Sequence, residues 1–311
     1  MSIPVIRVAA AVITRPDGYF LLASRPTDKS YPGYWEFPGG KIEPGETAHQ
    51  ALVRELDEEL GIHVTHATPW ITRRHNYSTA QVVLSFFRVS SWEGDPQPRE
   101  GQTFSWQQAE NINVTPLLPA NAPIINALRL PALMGITQAG DDIDAFLPKL
   151  DRALAQGLKL IQVREKQLPA SILVDFTKTV INRAHAVGAR VIVNADAALA
   201  LHTGADGVQL TSEQLNSLHV RPDLPLVGAS CHNADELDRA ERLDCNYALL
   251  SPVLPTASHP GAASLGWTQF SELTADRTMP VYALGGLTAE NLDLAREYGS
   301  HGIALLRGAW Q

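Results

Sequence analysis

The chain has 311 residues with 25 basic and 33 acidic side chains, a formal charge of -8 with histidine neutral. That length predicts two domains, each able to bury its own core; the acidic balance argues against a nucleic-acid polymer as partner, which needs a basic face to release counterions, and leaves room for a free nucleotide. The two cysteines, Cys231 and Cys245, lack metal-ligand spacing, and there is no export pattern at the start and no apolar run of membrane length, so the expectation is a cytoplasmic protein with no membrane partner and buried thiols.

SIPVIRVAAAV opens the chain as a strand-like run. The most informative stretch follows from Gly40 to Ile62, GKIEPGETAHQALVRELDEELGI. From about Thr47 to Leu60 it is free of proline and rich in Ala, Leu and Glu, so the spacing predicts a helix that stops at Gly61. On that helix Glu55, Glu58 and Glu59 sit at i, i+3 and i+4, which crowds carboxylates on one face. Acidic runs are usually solvated helix faces. The other reading is a cation held across the face, since hard divalent ions prefer carboxylate oxygens together with water and substrate phosphate. Glu46 lies where it can pair with Arg54, while Val53, Leu56 and Ile62 turn toward a core as scaffold.

Residue for residue, the stretch matches the signature of the Nudix hydrolases: Gly40, five residues, Glu46, seven residues, Arg54-Glu55-Leu56, one residue, Glu58-Glu59, one residue, Gly61-Ile62. The resemblance implies an α/β/α sandwich around a mixed sheet and hydrolysis of a nucleoside diphosphate linked to another moiety. VAAAVITRPDGYFLLASRP (8–26), GYWEFPGGK (33–41), WEGDPQPREGQTFSW (92–106) and LLPANAPII (117–125) resemble the MutT branch, which removes 8-oxo-dGTP from the nucleotide pool and so avoids mutation. That resemblance implies catalytic carboxylates at Glu55, Glu58, Glu59 and Glu100. It implies magnesium, with manganese as substitute, on those four and on the Gly39 carbonyl. Either Glu55 or Glu100 takes the proton of the attacking water.

Substrate contacts are implied for Arg25, Phe37, Gly39, Gly40, Lys41, Tyr77 and Asn121. Asn121 falls on the residue that reads the oxidised purine, and an amide offers the donor and acceptor needed for adjacent carbonyl and N–H groups. On the residues alone it reads more readily as the cap of a helix starting near Pro123. Taken singly, Glu100 is a loop carboxylate, Lys41 an exposed lysine that can screen phosphate charge, and Tyr77 and Phe86 either pocket walls or core aromatics.

After a short joint, Leu128-Arg129-Leu130-Pro131, apolar runs alternate with amphipathic stretches. ALMGIT, KLIQVRE, RVIVNA, GVQL, PLVGAS, YALLSPV, VYALGG and GIALLRG are the strand candidates, which predicts a (β/α)8 TIM barrel with its site at the strand C-terminal ends. Arg164, Lys166, Asn194, Ser230, Thr256, Gly285 and Gly286 stand there. QVREK, GADGVQL, SPVLPT, ALGGLTAEN and GSHGIALL resemble thiamin-phosphate synthase and its relative TenI over nearly all of 132–311. In the synthases the Arg and Lys of the REK motif grip a pyrophosphate, which Arg164 and Lys166 match; the Gly285-Gly286 turn leaves N–H groups open to phosphate or is a plain tight turn.

The chain departs from that pattern at the acids. Ala195 and Gln214 replace the two aspartates that hold magnesium in the synthases, with Asp196 next door to the first. The PT-x-T-K run becomes Pro255-Thr256-Ala257-Ser258-His259, and Ser251-Pro252 occupy the place of TenI's histidine. The combined expectation is α/β and α+β in two domains, a Nudix hydrolase over 1–130 and a synthase-like barrel over 131–311. Its leading function is magnesium-dependent hydrolysis of 8-oxo-dGTP beside a barrel of degenerate activity. The alternatives are a bifunctional hydrolase and synthase, or hydrolysis of another nucleoside or thiamin diphosphate with the barrel as a sensor of a thiamin-related phosphate.

Overall fold

The computed structural model describes residues 4–76, 80–140, 142–256 and 263–311. They form two compact units, one comprising the residues up to Arg129 with Ala275–Thr278, the other Leu130–Thr274 with Met279–Gln311.

In the first unit the apolar run near the N-terminus becomes β1 (Val5–Ile13), followed by β2 (Phe20–Ser24), β3 (Trp35–Glu36), β4 (Gly39–Lys41), β5 (His63–Asn76), β6 (Gln81–Glu93) and β7 (Phe104–Gln107). A four-stranded sheet has the order β4-β1-β6-β5 and a three-stranded sheet the order β3-β2-β7. The larger sheet is mixed, with β1 parallel to β6 and antiparallel to β4. Because successive strand residues face opposite sides, β1 serves two cores. Ala9, Ala11 and Ile13 pack with Leu52, Leu56 and Leu60 of helix α1 (Ala48–Leu60). Ala10 and Val12 pack with Phe37, Phe86 and the Ile124 and Ile125 side chains of helix α2 (Ala122–Leu128). Helix on sheet on helix is the sandwich expected from the sequence.

The helix limits have local causes. Thr47 caps α1, its hydroxyl accepting from the Gln50 amide while the Gln50 side chain accepts from Thr47, and Gly61 ends it at φ 67° in the left-handed region.

The second unit contains β8 (Leu133–Ile136), β9 (Leu160–Val163), β10 (Arg190–Asn194), β11 (Gly207–Leu210), β12 (Leu226–Cys231), β13 (Tyr247–Leu250), β14 (Val281–Leu284) and β15 (Gly302–Leu305). They close a barrel in the order β10-β11-β12-β13-β14-β15-β8-β9, each pair parallel. Helices α3 (Ile143–Ala155), α4 (Ala170–His185), α5 (Ala197–Thr203), α6 (Ser212–Ser217), α7 (Ala234–Arg242), α8 (Gly266–Thr274) and α9 (Leu292–Glu297) alternate with them. These strands are largely apolar because both faces are covered: Ile161 and Val163 meet the helices, while Leu160 packs inside with Ile192, Tyr247 and Tyr282. Among the described residues, no helix is long and apolar enough to cross a membrane. Cys231 and Cys245 are both buried, and neither is in a disulfide.

Inside the barrel, Gly228 leaves the space that Tyr247 fills. A Cβ there would lie 2.2 Å from the tyrosine ring and 2.3 Å from Gln209 Oε1, the atom that accepts the Tyr247 hydroxyl at 2.8 Å. Gly228→Ala is therefore expected to destabilise the barrel by about 1–3 kcal/mol through overpacking, more than Tyr247→Phe, which removes one hydrogen bond. Urea denaturation ranks the two, and an Ala variant as stable as the parent contradicts this packing.

Candidate active site and barrel cavity

The acidic face of α1 is gathered by Arg54. Its guanidinium donates to both Glu46 oxygens at 2.7 and 2.9 Å, to Glu55 at 2.9 Å and to Glu58 at 3.2 Å, and it reaches the Lys41 carbonyl at 3.1 Å. The guanidinium holds the Glu46 carboxyl down at about 2, and Glu46 in turn raises the guanidinium above its ordinary value. Gly40 has no Cβ because the Glu55 carboxylate occupies that position, 2.0 Å from where a Cβ would stand.

Glu59 faces the other way. Its Oε2 accepts the Gly39 N–H at 3.1 Å, and its Oε1 lies 3.6 Å from Lys29 Nζ, which also donates to Glu100 at 2.8 Å. Burial pushes the Glu59 carboxyl up to about 7, the Gly39 amide and Lys29 opposing. A small cavity here is lined by Phe37, Gly39, Glu59 and Glu100 with Lys29, Glu36 and Gln102. Lys29, Glu36 and Gln102 were missed from the sequence; the signal for Gln102 was its place two residues after Glu100, and for Lys29 there was none.

The remaining predicted residues spread around this centre. Arg25 grips Glu36, Nη1 donating at 2.6 and 2.7 Å, and burial raises the Glu36 carboxyl against that pull. Phe37 is a core ring stacked on Phe20 and edge-on to Phe86. Glu58 is more open than Glu55 or Glu59, its side chain 54% exposed. Asn121 is 2% exposed, and its amide donates to the Trp35 carbonyl at 3.3 Å. It stands before α2 without a side-chain capping bond, so helix capping does not account for it. Tyr77 lies outside the described residues.

The donor chemistry fits a hard divalent cation: carboxylate oxygens, one of them desolvated so that its charged form lacks compensation. Among the described residues, no three acidic, histidine or cysteine side chains stand together as a preformed ligand set. Arg54 and Lys29 hold the carboxylates instead.

In the second unit a cavity of about 610 Å³ opens at the C-terminal ends of the strands, and Arg164, Lys166, Asn194, Ser230, Thr256, Gly285 and Gly286 all line it. Between the two cations of the REK motif, Glu165 turns away and accepts the Ala139 and Gly140 amides at 2.8 and 3.2 Å. The floor is built from amides: Gln162 donates to Asn194 at 2.8 Å and Gln209 to Ser230 at 3.1 Å. Gln162 is 2% exposed and its Oε1 has no hydrogen-bond partner. A polar residue in an otherwise apolar strand was the sequence signal for it. His232, also missed, lines the cavity and donates from Nδ1 to the Ser251 carbonyl at 2.8 Å.

At the positions lacking aspartate, Gln214 Nε2 donates to the Ala195 carbonyl at 2.6 Å while its Oε1 accepts the Thr211 amide. Asp196 does not replace either acid, because its carboxylate caps α5 through the Leu199 amide at 2.8 Å. Ala257, Ser258 and His259 lie outside the described residues.

The NUDIX domain family matches residues 4–128, and the thiamine monophosphate synthase family matches residues 133–309. The chain is 32% identical over 179 residues to a putative thiamine-phosphate synthase 2 of Aquifex aeolicus, covering 57% of this chain and 96% of that protein. It is 36% identical over 124 residues to the 8-oxo-dGTP diphosphatase of Escherichia coli, covering 40% of this chain and 96% of that protein. To the CTP pyrophosphohydrolase of Escherichia coli it is 42% identical over 122 residues, covering 39% of this chain and 90% of that protein. The chain belongs to the Nudix family through its first unit and to the thiamine monophosphate synthase family through its second. Pyrophosphate-bond hydrolysis is the chemistry that the Nudix membership supports.

The Glu59 value gives a pH-dependent expectation. Its folded value, about 7, lies above the ordinary 4.5, so its stabilising contribution is complete below about 4.5 and is lost as pH rises through 7. Without divalent ions, Glu59→Gln should therefore be more stable than the parent at pH 8, by up to about 3 kcal/mol, and melt higher, with the gap closing toward pH 4.5. A variant that melts lower than the parent at pH 8 contradicts the desolvated carboxylate.

Proposed function

We propose that the first unit hydrolyses 8-oxo-dGTP to 8-oxo-dGMP and pyrophosphate. The observation that carries this reading is Asn121: a buried amide, not used for capping, tied to Trp35 of the segment that leads to the Gly39-Gly40 strand. A carboxamide held in one orientation presents a fixed donor–acceptor pattern, and such a site rejects a base lacking the matching group because buried polar atoms are then left unpaired. A divalent ion held by Glu55, Glu58, Glu59, Glu100 and the Gly39 carbonyl would neutralise phosphate charge and acidify the attacking water. Arg54 orients Glu55 and Glu58 through its hydrogen bonds, and Lys29 stands where it can meet phosphate oxygens. The proton passes to Glu55 or Glu100, which single Gln substitutions separate.

A second nucleotide reading, hydrolysis of CTP, is favoured by the 42% identity to the Escherichia coli CTP pyrophosphohydrolase. Turnover of the full chain on 8-oxo-dGTP, dGTP and CTP decides between them. Glu55→Gln should lower hydrolysis by several orders of magnitude with the fold intact. Asn121→Ala should lose the preference for 8-oxo-dGTP over dGTP far more than it loses dGTP turnover. Equal losses on both nucleotides contradict base reading by Asn121, and a parent that prefers CTP selects the second reading.

For the barrel we propose binding of a phosphorylated heterocycle without synthase turnover. Arg164 and Lys166 supply the anion grip, while Ala195 and Gln214, joined by a hydrogen bond, leave no charge at the two positions where the synthases carry aspartate, and Glu213 is the one carboxylate among the described lining residues. Calorimetry with thiazole and pyrimidine phosphates should show binding that Arg164→Ala abolishes, and a coupled synthase assay should show little or no product. Robust turnover makes the protein bifunctional and overturns this reading.

A further inference from the structure

The segment before β7 folds over the C-terminal turn of α1. An α-helix leaves its last carbonyls without intrahelical donors, and here the loop supplies them: the Gln97 amide donates to Leu60 O at 2.9 Å, the Arg99 amide to Glu59 O at 3.0 Å and Arg99 Nη1 to Asp57 O at 2.9 Å. Gln102 completes the set in a different manner. Its Nε2 donates to Glu59 O at 2.7 Å, and its Oε1 accepts the Glu100 amide at 2.7 Å. The side chain is 6% exposed and lines the cavity that contains both carboxylates. One buried carboxamide thus spans the backbones of Glu59, on the helix, and Glu100, on a loop 41 positions later.

We propose that Gln102 is a positioning residue that fixes the spacing between Glu59 and Glu100 before any cation or nucleotide arrives. The proposal rests on the reading of the first unit as a metal-dependent pyrophosphohydrolase. Glu100 lies outside any strand or helix, so its approach to Glu59 is set by loop contacts: the Arg99 amide anchors the neighbouring residue to Glu59 O, Lys29 stands between the two carboxylates, and Gln102 holds the Glu100 amide itself. The chemistry needs glutamine in particular. Glutamate would set an oxygen against Glu59 O and add negative charge beside a carboxylate that burial already disfavours. Asparagine is one methylene short of spanning both groups. Groups that orient metal-binding carboxylates typically change metal affinity or activity by about 10–100-fold when removed.

The test uses the full chain with manganese as probe. Gln102→Met keeps the volume and loses both bonds; it should weaken Mn2+ binding by about 10–100-fold in calorimetry and lower kcat by a similar factor. KM for the parent's best nucleotide should move less than threefold. Hydrogen exchange of the Glu100 amide in the metal-free protein should accelerate. A purely structural Gln102 predicts a lower melting temperature with Mn2+ affinity, kcat and Glu100 exchange like the parent's, and that outcome overturns the proposal. If Gln102→Met does not fold, Gln102→Asn serves instead, with weaker Mn2+ binding expected and parent-like affinity again overturning it. Glu59→Gln is the control for the underlying reading: if it leaves Mn2+ binding and hydrolysis at the parent level, the site assignment fails rather than the clamp alone.

Discussion

Everything in the first unit depends on placing several carboxylates at one end of a folded chain without driving that end apart. Arg54 makes this possible. Like charges one helical turn apart repel by a few tenths of a kcal/mol per pair on an exposed helix, and more where water is excluded. A single guanidinium bonded to Glu46, Glu55 and Glu58 turns that repulsion into a network of charge-assisted bonds. Glu59 is left out of the network, and burial is what distinguishes it. Two carboxylates on neighbouring turns thus have different electrostatic surroundings: Glu55 is satisfied by Arg54, while Glu59 has only the Gly39 amide and a lysine at 3.6 Å.

The barrel meets the converse requirement. Its cavity is lined by cations and amides at the positions that matter, Arg164, Lys166, Asn194 and the Gly285-Gly286 turn. Where the synthases carry acids, the chain uses a neutral amide-to-carbonyl bond between Gln214 and Ala195. The cations Arg164 and Lys166 stay in the cavity lining, while the two substituted positions carry no charge.

What was legible in the sequence was local. Glu55, Glu58, Glu59 and Arg54 lie within one helix that Gly61 ends, and its periodicity turns spacing into geometry; the eight runs of the barrel could be counted because a strand buried on both faces is mostly apolar. The residues missed depend on contacts distant in sequence. Lys29 meets Glu100 across 71 positions and Gln102 meets Glu59 across 43, through loops with no period to read. Asn121 was ambiguous for a related reason: a residue before a helix is a cap or is not, according to where its side chain turns, and only its bond to Trp35 shows that. Arg25 was legible as a position and not as a contact, since its partner Glu36 sits in a different strand.

The same distinction explains why the sites in the two units are held so differently. In the barrel, cavity groups stand at the ends of strands whose register fixes them, so Asn194 and Ser230 need only the interior glutamines beneath to set their side chains. In the first unit, one half of the site is helical and the other half is loop. A loop adds conformational entropy that must be removed before catalysis can use it. The orphan carbonyls at the end of α1 provide a route: satisfying them is required of any buried helix terminus, and when the donors come from residues 97–102 the same bonds order Glu100. A demand of helix geometry and a demand of the site are thereby met by one set of hydrogen bonds.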